Sequence, residues 1–111
     1  ILNPTRLELP EAKQKNKSIK GEIIYIDRFG NATTNISAEL ISKTFASSDT
    51  IEIKIGKNKI DGLVTGYYQI NSGQIGAILN SWNQVEVFCR ENSAEKKLKL
   101  KTGQTVTLKV K

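Results

Sequence analysis

Isoleucines at 51, 53 and 55 alternate with Glu52 and Lys54, the period of a strand with one dry and one wet face. Gly56-Lys57-Asn58-Lys59 then turns the chain toward Ile60, which predicts a hairpin. Residues 22–27 (Glu-Ile-Ile-Tyr-Ile-Asp) are β-branched or aromatic at adjacent positions, as in a strand covered on both sides. Similar strand patterns recur at 63–68, 74–79, 84–88 and 105–110. Turn-forming stretches separate them: Asn71-Ser72-Gly73, Asn80-Ser81-Trp82-Asn83 and Thr102-Gly103-Gln104.

Two short stretches change period. Residues 37–43 predict a helix that ends near Phe45, with Ser37 as its N-cap, Glu39 in the first turn and Ile36, Leu40 and Ile41 facing inward. Residues 92–98 predict a helical turn, with Asn92 and Glu95 at the N-cap and N3 positions of a capping box and Lys96 and Lys97 toward its C-terminal end. The pattern as a whole predicts an all-β domain, an antiparallel β-barrel or sandwich with two short helices. Residues 1–19 carry Pro4, Pro10 and the run Lys13-Gln14-Lys15-Asn16-Lys17-Ser18 without a sustained apolar period. They predict a linker ahead of a single β domain over 20–111.

Composition narrows the chemistry. At 111 residues and 38% hydrophobic content the chain fits one core. It has no long apolar run and no basic segment leading into one, so the sequence predicts a soluble, cytoplasmic protein with no membrane partner. The chain contains no Met, and the start Ile1-Leu2-Asn3-Pro4 reads as the inside of a linker; both predict a piece of a longer protein. Cys89 is the one cysteine and there is no histidine. An internal disulfide, the usual zinc and copper ligands, and Ser-His or Cys-His nucleophilic pairs are therefore excluded from this chain. Cys89 itself reads as a small core thiol. The net charge of +6 admits a polyanion partner, but only Arg6, Arg28 and Arg90 are arginines, and arginine is the residue that bidentate phosphate and base recognition favours.

The densest polar cluster is Asp27-Arg28-Phe29-Gly30-Asn31, leading into Thr33-Thr34-Asn35-Ile36. It puts a carboxylate, a ring and a carboxamide at one rim, and Gly30 permits a tight reversal. The carboxylate can pair with an ammonium, the ring can pack on a heterocycle and the carboxamide can meet a purine edge. An Asx-type turn with Phe29 in the core accounts for the same residues.

The stretch 21–36 closely resembles the signature that opens the C-terminal domain of the S-adenosyl-L-methionine (SAM) hydroxide adenosyltransferase family, which also includes fluorinase and chlorinase enzymes. Tyr67 with Gly73, then Leu79-Asn80-Ser81, is similar to the family's aromatic, Gly and Asn-Ser pattern. Asn92-Ser93-Ala94 with Leu98, Leu100 and Gly103 is similar to its ending, and together the stretches cover residues 20–111. The resemblance implies SAM as substrate, no cofactor, and a homotrimer in which SAM lies between this domain and the N-terminal α/β domain of a neighbouring subunit. It implies that Asp27 contacts the methionine ammonium, Phe29 lines the pocket and Asn31 hydrogen-bonds the adenine. It further implies that Tyr67 packs on the adenine face, Ser81 binds the methionine carboxylate, and the backbone around Asn92, Ser93 and Ala94 reaches the purine edge. None of these is a catalytic group; the resemblance implies a SAM hydrolase whose water-activating residues belong to the N-terminal domain, with a SAM-dependent halogenase as the rarer alternative. The chain departs from the family pattern at Trp82-Asn83, where a variable residue and Gly are common. Asn83 can take the left-handed conformation of that Gly, and Trp82 is either a pocket wall or an anchor at a subunit contact. The same residues also admit a basic β-barrel that binds single-stranded nucleic acid, or a structural oligomerisation domain.

Overall fold

The computed structural model describes residues 13–15 and 17–111. Eight strands run in the order β1 (Lys13–Lys15), β2 (Ser18–Ile26), β3 (Ala32–Ser37), β4 (Ile51–Ile55), β5 (Asn58–Asp61), β6 (Ile75–Leu79), β7 (Gln84–Cys89) and β8 (Thr105–Val110). Helix α1 (Ala38–Thr44) follows β3, and α2 (Ala94–Leu98) follows β7. Seven strands pair antiparallel along the path β5-β4-β8-β2-β3-β7-β6, with β1 on the side of β2. The two ends of the path, β5 and β6, lie side by side, so the architecture is a nearly closed antiparallel barrel.

The long β2 holds the barrel together, because its first half pairs with β8 and its second half pairs with β3. A register shift between Ile23 and Tyr25 bends the strand from one pairing to the other. Gly21 lies close under Asn35, whose Oδ1 accepts from the Glu22 amide at 2.9 Å; a Cβ at Gly21 would overlap that side chain. The interior is filled by alternate residues of every main strand, including Ile19, Ile23, Ile36, Ile53, Val87 and Leu108, all fully buried. Truncating any one of these to Ala costs about 2–5 kcal/mol.

The hairpin at 51–60 forms as the alternation predicts, with a two-residue turn at Gly56-Lys57 and Gly56 at φ 59°. Ser37 caps α1 by accepting from the Leu40 amide at 3.1 Å, and Leu40 and Ile41 pack against the core. Two expectations need correction. The cap of α2 is Ser93, whose Oγ accepts from the Lys96 amide at 3.2 Å, because Asn92 Oδ1 is taken by the Ser93 amide at 2.8 Å. Residues 63–68 form no strand: Val64 makes a single parallel bridge to Ile78, the Thr65 amide donates to Gln69 Oε1, and the carbonyls of Gly66 and Tyr67 accept from the amides of Gln69 and Ile70 in a tight turn. Lys13–Lys15 pair antiparallel with Ser18–Lys20, and residues 1–12 and 16 of the segment read as linker lie outside the described residues.

Candidate functional site

The β2–β3 turn is built by one carboxylate. Asp27 Oδ1 accepts from the amides of Phe29 at 2.9 Å and Asn31 at 3.0 Å, and Oδ2 accepts from the Asn31 side chain at 3.2 Å. Gly30, at φ 86°, donates to the Asp27 carbonyl at 2.9 Å and completes the reversal. The cluster is thus an Asx-type turn, but its ring is not in the core: Phe29 is 66% exposed, with the Arg28 guanidinium 5.1 Å from its centroid. Because Asn31 spends its NH2 on Asp27, its Oδ1 is turned away as an acceptor. Asp27 Oδ2 keeps capacity for one further donor.

A second wall comes from the segment that replaces the expected strand. Residues 62–74 cross the outer face of the β6–β7 hairpin, with a 3₁₀ turn at Tyr67–Gln69. Arg90 Nη1 holds that segment down by donating to the carbonyls of Tyr68 at 3.2 Å and Ile70 at 2.8 Å. Ile70 and Phe88 meet over Gly76, where an added Cβ would come within 2.8 Å of the Phe88 ring. Tyr67 packs edge-on to Phe88, with centroids 4.6 Å apart and planes at 77°. Its hydroxyl donates to Glu86 Oε2 at 3.2 Å. Partial burial, followed by the nearby Glu86 charge, pushes the Tyr67 hydroxyl above the usual phenol range.

The third wall is the β7–α2 loop. Cys89 and Asn92 form an isolated bridge, and Glu91 adopts φ 61° between them. The Glu95 amide donates to the Gly30 carbonyl at 2.9 Å, and a Cβ on Gly30 would overlap Ser93 Oγ, so the loop docks directly on the β2–β3 turn. Between the three walls lies an open depression of about 670 Å³.

Of the residues nominated from sequence, Phe29, Asn31, Tyr67 and Asn92 line this depression. Asp27 supports Asn31 from behind, Ser93 caps α2 against Gly30, and Ala94 is fully buried beneath. Ser81 and Trp82 do not line it; both are exposed on the β6–β7 turn, where Asn80 Oδ1 accepts from the amides of Trp82 at 3.0 Å and Gln84 at 3.1 Å. Asn83 in that turn adopts φ 59°, the left-handed conformation expected of it. Sequence reasoning missed Tyr68, Phe88 and Arg90, which also line the depression. A signal for Phe88 existed: it follows Val87 out of alternation, and two adjacent buried residues imply a strand covered on both faces.

The lining offers apolar ring faces, the carboxamides of Asn31 and Asn92, the charged side chains of Arg90 and Glu91, and a buried thiol, Cys89. No group of three His, Cys, Asp or Glu side chains that could hold a metal occurs among the described residues. No helix among them is long and apolar enough to cross a membrane. The site can bind and orient a flat heterocycle.

The profile of the SAM hydroxide adenosyltransferase C-terminal domain matches residues 21–107, a span that contains all three walls. The chain belongs to this family. Within the SAM hydroxide adenosyltransferase C-terminal domain, the signature at 21–36 is the strand and turn that present Phe29 and Asn31. The fold is also similar to that of an uncharacterized conserved protein from Thermotoga maritima (TM-score 0.76, 21% identity, covering 91% of this chain and 39% of that one). A conserved hypothetical protein from Thermus thermophilus aligns with TM-score 0.68 and 26% identity, covering 96% of this chain and 41% of that one. The chain therefore spans about two fifths of the length of these solved structures. No curated protein matches the sequence.

Proposed function

We propose that this chain is the substrate-binding C-terminal domain of a SAM hydrolase, which converts SAM and water to adenosine and L-methionine. In this reading the domain acts in the cytoplasm with the N-terminal α/β domain of a neighbouring subunit in a homotrimer. The observation that carries it is the depression: Phe29, Asn31, Tyr67 and Asn92, nominated by family resemblance, come together from three segments distant in sequence. A site of about 670 Å³ suits a nucleoside.

The residues suit the task. The rings of Phe29 and Tyr67 offer faces to adenine, and Asn31 Oδ1 is free to accept from its exocyclic amine. Asp27 Oδ2 retains room for the methionine ammonium, and the family resemblance assigns the carboxylate to Ser81, which stands outside the depression on the β6–β7 turn. Water forms a bond to the ribose carbon as the bond from that carbon to sulfur breaks. The sulfonium leaves as a neutral thioether, and the water proton passes to a base outside this chain. The contribution of this domain is position and desolvation.

The test is SAM turnover by the full-length protein and by the 111-residue chain, with adenosine and methionine separated by chromatography. Release by the full-length protein alone is expected. Turnover by the isolated chain would overturn the division of labour. A full-length protein that neither releases nor binds adenosine, but binds a single-stranded oligonucleotide with steep salt dependence, would replace this reading with a nucleic-acid one.

A further inference from the structure

Tyr67 sits on a short 3₁₀ turn with no strand ladder to hold it, and it is 48% exposed, yet its hydroxyl is tethered. Glu86, which receives that hydroxyl on Oε2, accepts from Asn80 Nδ2 on Oε1 at 3.4 Å. Asn80 Nδ2 also reaches Thr33 Oγ1 at 3.5 Å, and its Oδ1 organises the turn that carries Ser81 and Trp82. In the barrel register Glu86 stands between Thr33 and Ile78 on the outer face, half-buried.

The company Glu86 keeps is unusual for this protein. The chain carries seventeen Lys and Arg, yet no ion pair to Glu86 occurs among the described residues. Both oxygens instead take neutral donors. A half-buried carboxylate in such a setting acts as a fixed double acceptor, with each arm aimed at one partner.

We infer that Glu86 is a positioning residue: it fixes the Tyr67 ring at the wall of the depression and ties that wall to the β6–β7 turn. Edge contact with Phe88 limits the tilt of the ring, and the hydroxyl bond limits its swing, so the two together leave one orientation. The wall that would face adenine and the turn that would face the methionine carboxylate then move as one body. This inference rests on the proposed function for what the wall receives, but the tether is a property of the free protein.

The experiment uses the full-length protein with Glu86→Ala, Glu86→Gln, Tyr67→Phe and the Glu86→Ala/Tyr67→Phe double variant. Adenosine affinity is measured by calorimetry. Glu86→Ala is expected to weaken binding about five- to tenfold, the equivalent of one hydrogen bond. Glu86→Gln should recover most of that loss, because its Oε1 can accept from Asn80 while its Nε2 donates to the Tyr67 oxygen. On a Tyr67→Phe background, Glu86→Ala should add little. Equal damage from Gln and Ala, or full additivity in the double variant, would overturn the inference.

A ligand-free readout separates this result from the proposed function. In the ¹³C-tyrosine spectrum, the Tyr67 resonance should titrate above the ordinary phenol value, and Glu86→Ala should move it down. If the wild-type protein bound no adenosine, the hydrolase reading would fall and this titration would still decide the tether. A Tyr67 that titrates at the ordinary phenol value, or is unmoved by Glu86→Ala, sinks it.

Discussion

Asn31 and Asp27 face each other across the β2–β3 turn, and the Asn31 carboxamide donates to Asp27 Oδ2 at 3.2 Å. The contact fixes which end of the Asn31 amide is turned out toward the depression. It also makes Asp27 the frame of the turn, set directly behind a residue that lines the depression.

Substitutions at this pair separate the two roles. Asn31→Ala removes the proposed adenine contact and one of the donors to Asp27, and it should weaken adenosine binding by about 1–3 kcal/mol with a smaller loss of stability. Asp27→Ala leaves the amides of Phe29 and Asn31 without their acceptor and should cost about 1–3 kcal/mol of folding stability. Asp27→Asn keeps Oδ1 but sets its amide against that of Asn31, so it should fall between. Denaturant melts of the full-length variants, alongside calorimetry, order the three; equal stability for Asp27→Ala and wild type would refute this account of the turn.

Gly30→Ala meets two obstacles at once. The residue is at φ 86°, and the new Cβ would overlap Ser93 Oγ, with Ser93 Cβ 2.8 Å away. Loss of about 2 kcal/mol or more is expected. Because Glu95 also donates to the Gly30 carbonyl, the α2 loop should loosen with the turn. Faster amide hydrogen exchange at Glu95 and Lys96 checks this.

Much of the barrel was legible because its signals are local. The alternation of Ile51, Ile53 and Ile55 needs only a wet face and a dry face, and Ser37 caps α1 through an amide three residues away. The depression was legible through family resemblance, as far as Phe29, Asn31, Tyr67 and Asn92 go. What lay beyond reach depends on contacts distant in sequence. Residues 63–68 have the composition of a strand, but Arg90, twenty or more residues away, takes the carbonyls of Tyr68 and Ile70. Spacing alone leaves Phe29 open to a core position, and the geometry of the Asp27 turn directs it outward, as the family resemblance implies.

Asn83 tests the departure from the family pattern. At φ 59° Asn is tolerated and Gly is preferred, so Asn83→Gly should change stability by no more than about 0.5 kcal/mol. Asn83→Val, β-branched at a positive φ, should cost about 1–2 kcal/mol. Thermal melts of both variants suffice, and a harmless Val would mean that the turn relaxes into another conformation.

Alkaline pH should act through Tyr67. Its hydroxyl is raised above the ordinary value of 10.0, by partial burial first and then by Glu86. The folded state therefore holds this proton more tightly than the unfolded state does. Its contribution is fully present below the unfolded value and is lost as pH climbs through the folded one. As pH rises above the ordinary value of 10.0, the wild-type melting temperature should fall more steeply than that of Tyr67→Phe. Parallel slopes would show that the raised hydroxyl does not couple to folding.

Arg90 bears on both the fold and the site, and its variants should show it. One guanidinium nitrogen bonds two carbonyls on the crossing segment, and the Arg90 backbone pairs with Gln74 and Gly73 on the far side of the same loop. Arg90→Ala leaves those carbonyls to water and frees the segment that carries Tyr67 and Tyr68. The loss should be about 1.5–3 kcal/mol, as for hydrogen bonds from a charged group. Arg90→Lys keeps the charge but lacks the planar fork, so it should recover only part. Because Tyr67 covers Phe88, release of the segment should also expose that ring and weaken adenosine binding more than it lowers overall stability. Affinity and melting temperature measured on the same Arg90→Ala protein distinguish this from plain destabilisation: a fall in stability with unchanged affinity would show that the aromatic wall holds without its clamp.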